Sequence, residues 1–250
     1  MRVGFHTANC ISIENVIWEK TAAFEIPENT ICIWRIDIIA SMSRINNLSI
    51  LLKSDELDRA NRYYHKRDLR RFITSRGALR ILLGKYLKKN PADIEFTSTI
   101  NKKPFLKEPL NNFYFNISHS ENYILIAIAD SEIGIDVEKV DSLFDWPDIL
   151  HTSFSKDEIL WVKQSKSPKD SFYLLWTRKE ALAKATGKGL QDNLLIFPSL
   201  DGTHQLNQFE FSNSWEIRSF EIDQHTKGSI AYPPSIIINK FFIMNFEFFE

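Results

Sequence analysis

The chain has 250 residues, 44% of them hydrophobic and 25% charged, with a formal net charge of −1. Such a chain has ample material for a buried core and is not a disordered one, and its near-zero charge offers no general basis for nucleic-acid binding. Two cysteines, Cys10 and Cys32, are too few for a disulfide framework or a zinc site. The start lacks a basic stretch followed by an apolar core, and no apolar run approaches ~18 residues. No signal peptide, no membrane span and a cytoplasmic location are therefore expected.

Residues 1–30 carry no clear pattern. Ile31-Cys-Ile-Trp-Arg-Ile-Asp-Ile38 is rich in β-branched residues and predicts a strand. Ser54 then stands before Asp55 and Glu56, an N-cap with acids in the first turn. One helix is predicted from there to about residue 89, with Arg59, Arg62 and Lys66 on one face. An apolar stripe of Leu69, Phe72, Ile73, Leu79, Leu83 and Leu87 runs along it, and Pro91 stops it. Residues 53–90 hold 12 Lys/Arg against 4 Asp/Glu. That excess fits either a local anionic ligand or a solvated basic helix.

Residues 94–97 predict a strand and 100–105 a turn. In Phe113-Tyr-Phe-Asn-Ile-Ser118, Phe113, Phe115 and Ile117 point one way and Tyr114, Asn116 and Ser118 the other. Residues 123–129 form an apolar run of the kind buried on both faces. Residues 133–138 alternate again, with Asp136 and Glu138 on one face. Short links between these three strands predict an antiparallel meander.

Short helices are predicted at 143–150 and 156–163, the second with Ser155 and Glu158 as a capping box. The best-defined helix starts at Ser167-Pro168 and runs through Phe172, Leu175, Trp176, Lys179, Leu182 and Ala183 to Gly187. Strands are expected at 194–197, 215–222 and 236–243.

Asp136 and Glu138, about 7 Å apart along one strand face, repel each other unless a cation or a proton sits between them. They fit a Mg²⁺ pair, but taken alone they fit the exposed polar face of a sheet edge better. Glu180 and Lys184 fit a surface i,i+4 pair, but Trp176 one turn earlier argues that this face is covered. His119, between Ser118 and Ser120 at a strand end, fits a structural residue or an anion contact. No G-x-S-x-G, P-loop or G-x-G-x-x-G pattern occurs.

Phe115-Asn-Ile-Ser-His-Ser120, Ile133-Gly-Ile-Asp-Val-Glu138, and Trp176-Thr-Arg-Lys-Glu-Ala-Leu-Ala-Lys184 with Gly187-Lys-Gly-Leu190 resemble, in order and spacing, the signature blocks of the Sfp-type 4′-phosphopantetheinyl transferases. Tyr64-His-Lys-Arg-Asp-Leu-Arg-Arg71 and Lys102-Lys-Pro104 resemble earlier blocks, so the likeness covers about residues 54–190. It implies an α+β fold of two similar subdomains related by pseudo-two-fold symmetry, divided here as 1–130 and 131–250, with coenzyme A between them. A single chain with both subdomains suffices as a monomer. The implied reaction moves the phosphopantetheine arm of coenzyme A to a serine of an acyl or peptidyl carrier protein and releases adenosine 3′,5′-bisphosphate.

The resemblance also implies roles. Asp136, Glu138 and Glu180 match magnesium ligands, and Glu180 is also the candidate base, directly or through water. Lys184 matches a lysine that stabilises the pyrophosphate, with Lys179 beside it. Ser118 and His119 match phosphate contacts, Arg71 and Arg59 positions near the 3′-phosphate, and Lys103 and Pro104 an adenine-side loop. Leu143, Phe144 and Trp146 are candidate carrier anchors or core residues. His151-Thr-Ser-Phe-Ser155 departs from the family pattern. So does the Phe-rich end from Phe241, which as an exposed apolar segment is expected to invite unwanted pairing. A non-catalytic binder of coenzyme A or a carrier, and a metal-dependent phosphodiesterase, are the competing readings.

Overall fold

The computed structural model of the chain describes residues 6–20, 24, 28–101, 103–107, 113–188 and 194–246. Lys102, Gly189, Leu190 and the last residues of the Phe-rich end lie outside them. In chain order the elements are β1 (His6–Ser12), β2 (Trp18–Glu19), β3 (Thr30–Asp37), α1 (Ile45–Ile50), α2 (Ser54–Asn61), α3 (Lys66–Leu87), β4 (Phe96–Ser98), β5 (Pro104–Leu106), β6 (Tyr114–Ser120), β7 (Tyr123–Ala129), β8 (Gly134–Lys139), α4 (Pro147–Ser153), α5 (Lys156–Gln164), α6 (Pro168–Thr186), β9 (Gly202–Leu206), β10 (Trp215–Asp223), β11 (Thr226–Tyr232) and β12 (Ile237–Ile243).

Two mixed sheets carry the fold, ordered β8-β11-β10-β1-β9 and β2-β12-β3-β7-β6. The alternating strands turn one face of each sheet toward the other. Ile31, Ile33, Leu125 and Ala127 meet Ile135, Val137, Phe220 and Ile230 in one buried cluster. Helix α3 covers the outer face of the second sheet with Leu79, Leu82 and Leu83 against Trp34, Ile124 and Ile126. Helix α6 covers the outer face of the first with Ala181, Leu182 and Ala185 against Ala8, Ile217 and Ala231.

The α+β class and the two similar halves are as expected. Strand β3, helix α3 and strands β6 and β7 give the sheet order β3-β7-β6. Strand β8, helix α6 and strands β10 and β11 give β8-β11-β10. The halves also exchange strands. β1 pairs parallel with β10, and β12 pairs parallel with β3. The start of the Phe-rich end is thereby part of a sheet, with Phe241 and Phe242 buried.

Several expectations are corrected. The meander stops after two strands: β6 and β7 pair, but β8 crosses to the other sheet and pairs with β11. The chain from 54 to 89 is two helices, with a break at residues 62–65 that separates Arg59 from Lys66. Residues 194–196 form a 3₁₀ turn rather than a strand, and the helix expected at 143–150 spans Pro147–Ser153.

The basic segment is partly internal. Glu56 accepts from Arg80 at 2.7 Å and pairs with Arg76 at 3.2 Å, and Arg80 also donates to the carbonyls of Pro91 and Ile94. A buried guanidinium is tolerated only with such partners, because its charge has left water. Glu56→Ala leaves two arginines without their carboxylate and is expected to cost about 3–5 kcal/mol in a urea unfolding experiment.

Candidate functional site

Strands β6 and β8 each lie at one edge of their sheet, and these two edges face each other. No backbone ladder joins them. Instead, side chains on one face of β6 take the place of a ladder. Ile135 N–H donates to Asn116 Oδ1 at 2.8 Å, Val137 N–H to Ser118 Oγ at 3.3 Å, and Lys139 N–H to Ser120 Oγ at 3.0 Å. The two serines then donate to the carboxylates beside them. Ser118 Oγ gives to Asp136 Oδ1 at 2.9 Å and Ser120 Oγ to Glu138 Oε2 at 2.8 Å.

Helix α6 supplies the third side. It lies directly on β8 at Gly134, where an added Cβ would strike the backbone of Ala181, Lys184 and Ala185. That close approach brings Lys184 across to Asp136 Oδ1 at 2.6 Å and to Ser118 Oγ at 3.0 Å. Asp136 Oδ2 is buried and has no hydrogen-bond partner among the described residues.

Glu180, one turn before Lys184, is 5% exposed. Among the described residues it accepts no hydrogen bond. Burial and the Asp136 carboxylate push its pKa up to about 8, with Glu138 adding to the shift and Lys184 opposing it. Burial and Asp136 likewise push Glu138 up to about 7, against the pull of Ser120, Lys184 and Arg71. Burial disfavours the charge of Lys184, but Asp136, Glu180 and Glu138 together hold its ammonium above its ordinary value.

Three carboxylates around one ammonium make a site short of positive charge. Oxygen donors, one of them an orphaned Asp136 oxygen, fit a hard divalent cation such as Mg²⁺ in chemistry. As the side chains stand, Lys184 holds one oxygen of Asp136, and no three metal-ligating groups among the described residues converge on one point.

The other expected residues divide. His119 leaves β6 on the face opposite Ser118. Its pKa is lowered by desolvation and by the nearby Arg71 guanidinium. Arg71 pairs with Asp68 at 2.8 Å. Arg59, on α2, lies over the Phe72 ring of α3, and among the described residues it makes no hydrogen bond or ion pair with the carboxylates. Pro104 opens β5, and the Lys103 ammonium is engaged by the carbonyls of Ile133 and Lys184.

Lys179 is a correction. Its fully buried ammonium pairs with Glu158 at 3.0 Å and donates to the carbonyls of Leu194 and Phe197, on another side of α6 from the carboxylates. It belongs to the packing between α5 and α6. Its place on the stripe Phe172, Leu175, Lys179, Leu182 was the sequence signal for this. Sequence reasoning missed Ser120 and Gly134. The serine was legible as the next position in the 116, 118 alternation.

Beside Glu138 opens a cavity of about 530 Å³ lined by Ser120, Lys139, Phe144, Tyr173 and Trp176, among others. Of the three expected carrier anchors, Leu143 and Phe144 are exposed, whereas Trp146 packs on Phe172.

Comparison with known proteins settles the family. A model described as the 4′-phosphopantetheinyl transferase superfamily matches residues 132–232, and one described as the N-terminal part of 4′-phosphopantetheinyl transferase matches 40–131. The 4′-phosphopantetheinyl transferase HetI of Nostoc sp. is 36% identical over 204 residues, covering 80% of this chain and 86% of HetI. The chain belongs to the 4′-phosphopantetheinyl transferase family. Among other relatives, the 4′-phosphopantetheinyl transferases ffp and Sfp of Bacillus subtilis are 29% and 28% identical, covering 76% and 72% of this chain and 86% and 81% of their own lengths. The chain is thus a member of an enzyme family. Among the described residues no helix is long and apolar enough to cross a membrane.

Two outcomes test the site. Gly134→Ala wedges a methyl between helix and strand, and is expected to cost about 2–3 kcal/mol or more by chemical denaturation. Glu138 and Glu180 keep protons up to about pH 7 and 8 in the folded chain, whereas an unperturbed glutamate ionises near 4.5. Across that window the native state binds more protons than the unfolded state. Stability of the metal-free protein therefore falls as pH rises from about 5 to about 8. Scanning calorimetry in chelator is expected to show this fall, and a smaller one for Glu180→Gln.

Proposed function

We propose that the protein transfers the 4′-phosphopantetheine arm of coenzyme A to a serine of an acyl or peptidyl carrier protein, with Mg²⁺, releasing adenosine 3′,5′-bisphosphate. The observation that carries this reading is the cluster of Asp136, Glu138, Glu180 and Lys184 at the junction of the two halves. It holds more negative charge than Lys184 offsets, an excess that a divalent cation would relieve.

In this reading the serine oxygen of the carrier forms a bond to the phosphorus bearing the pantetheine arm. The bond from that phosphorus to the oxygen of adenosine 3′,5′-bisphosphate breaks. The serine proton passes to Glu180, directly or through water, once that carboxylate is ionised. Asp136, Glu138 and Glu180 hold the Mg²⁺, which when bound supplies positive charge to the pyrophosphate oxygens.

Lys184 provides a second positive charge for the leaving group, freed from Asp136 once that carboxylate has another partner. Ser118 and Ser120 orient the two β8 carboxylates. Arg71 and His119, together on the α3 side of β6, supply positive charge and a donor for the 3′-phosphate, with Arg59 further along that side. Lys103 and Pro104 border the adenine end. The carrier approaches over the cavity beside Glu138, with Leu143 and Phe144 exposed at its margin. The protein acts in the cytoplasm as a monomer divided into halves near residue 130.

Mass spectrometry of apo carrier proteins incubated with coenzyme A, Mg²⁺ and this protein is expected to show the gain of one phosphopantetheine unit on a serine. Glu138→Ala should abolish the gain, and Glu180→Gln should slow it about a hundredfold or more. Coenzyme A binding with no gain on any of several carriers would favour a binding module instead. Hydrolysis of coenzyme A in the absence of a carrier would favour a phosphodiesterase.

A further inference from the structure

The β4–β5 hairpin belongs to the first half of the chain, yet its turn ends on the last turn of α6 in the second. Asn101 Nδ2 donates to the Gly187 carbonyl at 2.9 Å. The Lys103 ammonium donates to the Lys184 carbonyl at 2.6 Å and to the Ile133 carbonyl at 3.2 Å. The carbonyls at the end of a helix lack partners within it, and a cation there also meets the negative end of the helix dipole.

Ile133 immediately precedes Gly134, the residue on which α6 rests. One ammonium therefore ties the end of α6 to the start of β8 at their crossing. The same Lys184 whose backbone it fixes sends its side chain to Asp136 and Ser118. A lysine kept only to meet substrate would leave its ammonium open to the cleft. This one is partly buried, and burial lowers its pKa.

We propose that Lys103 is a positioning residue, which fixes the backbone of Lys184 and so places the Lys184 ammonium against Asp136, while fastening the first half of the chain to the second. The kinetic consequence rests on the transfer reaction proposed above; the structural consequence does not.

Lys103→Met keeps the aliphatic stem and removes the charge and both hydrogen bonds, whereas Lys103→Arg keeps a charged donor. In the carrier assay with coenzyme A and Mg²⁺, Lys103→Met is expected to lower kcat about ten- to a hundredfold. The KM for coenzyme A should stay within about threefold, and Lys103→Arg should recover most of the rate. Added to Lys184→Met, the same change should cause little further loss, because its effect runs through Lys184. A raised KM at unchanged kcat would make Lys103 a substrate contact and overturn the proposal, as would a full additional loss in the Lys184→Met background. Hydrogen exchange provides a readout free of activity. Amides of residues 184–187 should exchange faster in Lys103→Met than in the parent, with the middle of α6 unchanged, and equal exchange at 184–187 would overturn the proposal. A parent protein that modifies no carrier would count against the transfer reading alone.

Discussion

The site depends on one contact between backbones. At Gly134 the missing Cβ lets α6 lie on β8 with nothing between them, and the reach of Glu180 and Lys184 to the β8 carboxylates follows from that proximity. A helix displaced by the width of a methyl group would carry Glu180 and Lys184 away from Asp136. Burial at this junction, together with the Asp136 charge, raises the proton affinity of Glu138 and Glu180. Packing and electrostatics are thus set together by a single glycine.

Helix α6 buries three consecutive charged residues, Arg178, Lys179 and Glu180, and treats them differently. Arg178 donates to Ser219, Ser12, Asp201 and the Ser199 carbonyl. Lys179 has Glu158 and two carbonyls. Only Glu180 is left without a hydrogen bond among the described residues, surrounded by other carboxylates. Buried polar groups are normally satisfied, and the exception is where a ligand or a reaction is to be sought. The two satisfied cations bind α5 and the 194–201 segment to α6 and make the helix rigid enough to hold the third residue in an unfavourable place.

Much of this was legible in the chain itself. The capping box of α5, the Pro168 start and Gly187 end of α6, the alternation of β6 and β8 and the apolar run of β7 follow from local chemistry, and the structure has them at nearly the expected positions, although the Ser167 side chain makes no capping bond to the α6 backbone. What local chemistry could not decide was the choice between sheets. The link from Ala129 to Gly134 serves a meander and a crossing equally well, because the alternation of β8 buries Ile135 and Val137 in either case. Strands β1 and β2 escaped notice because their partners lie about two hundred residues away and their own patterns are weak. The basic segment misled in another way: counting charge cannot separate Arg76 and Arg80, locked on Glu56, from Arg71, which pairs with Asp68 near His119. Lys179 and Glu180 stand side by side in the motif, but a helix turns about 100° per residue. Adjacency in sequence placed them together and geometry parted them.

The exchange of terminal strands has a consequence for the symmetry of the molecule. In each half one strand edge is open and one is covered. β6 and β8 are open and create the cleft; their counterparts, β10 and β3, are covered by β1 and β12, with Trp18, Phe220 and Phe241 packed between the sheets. The second cleft that a duplicated fold would possess is thus plugged by the chain's own ends. A chain severed near residue 130 would give two fragments, each carrying a strand that its own sheet cannot use and lacking one that it needs. Such fragments are built for complementation: neither completes its sheet alone, and each supplies the missing edge of the other.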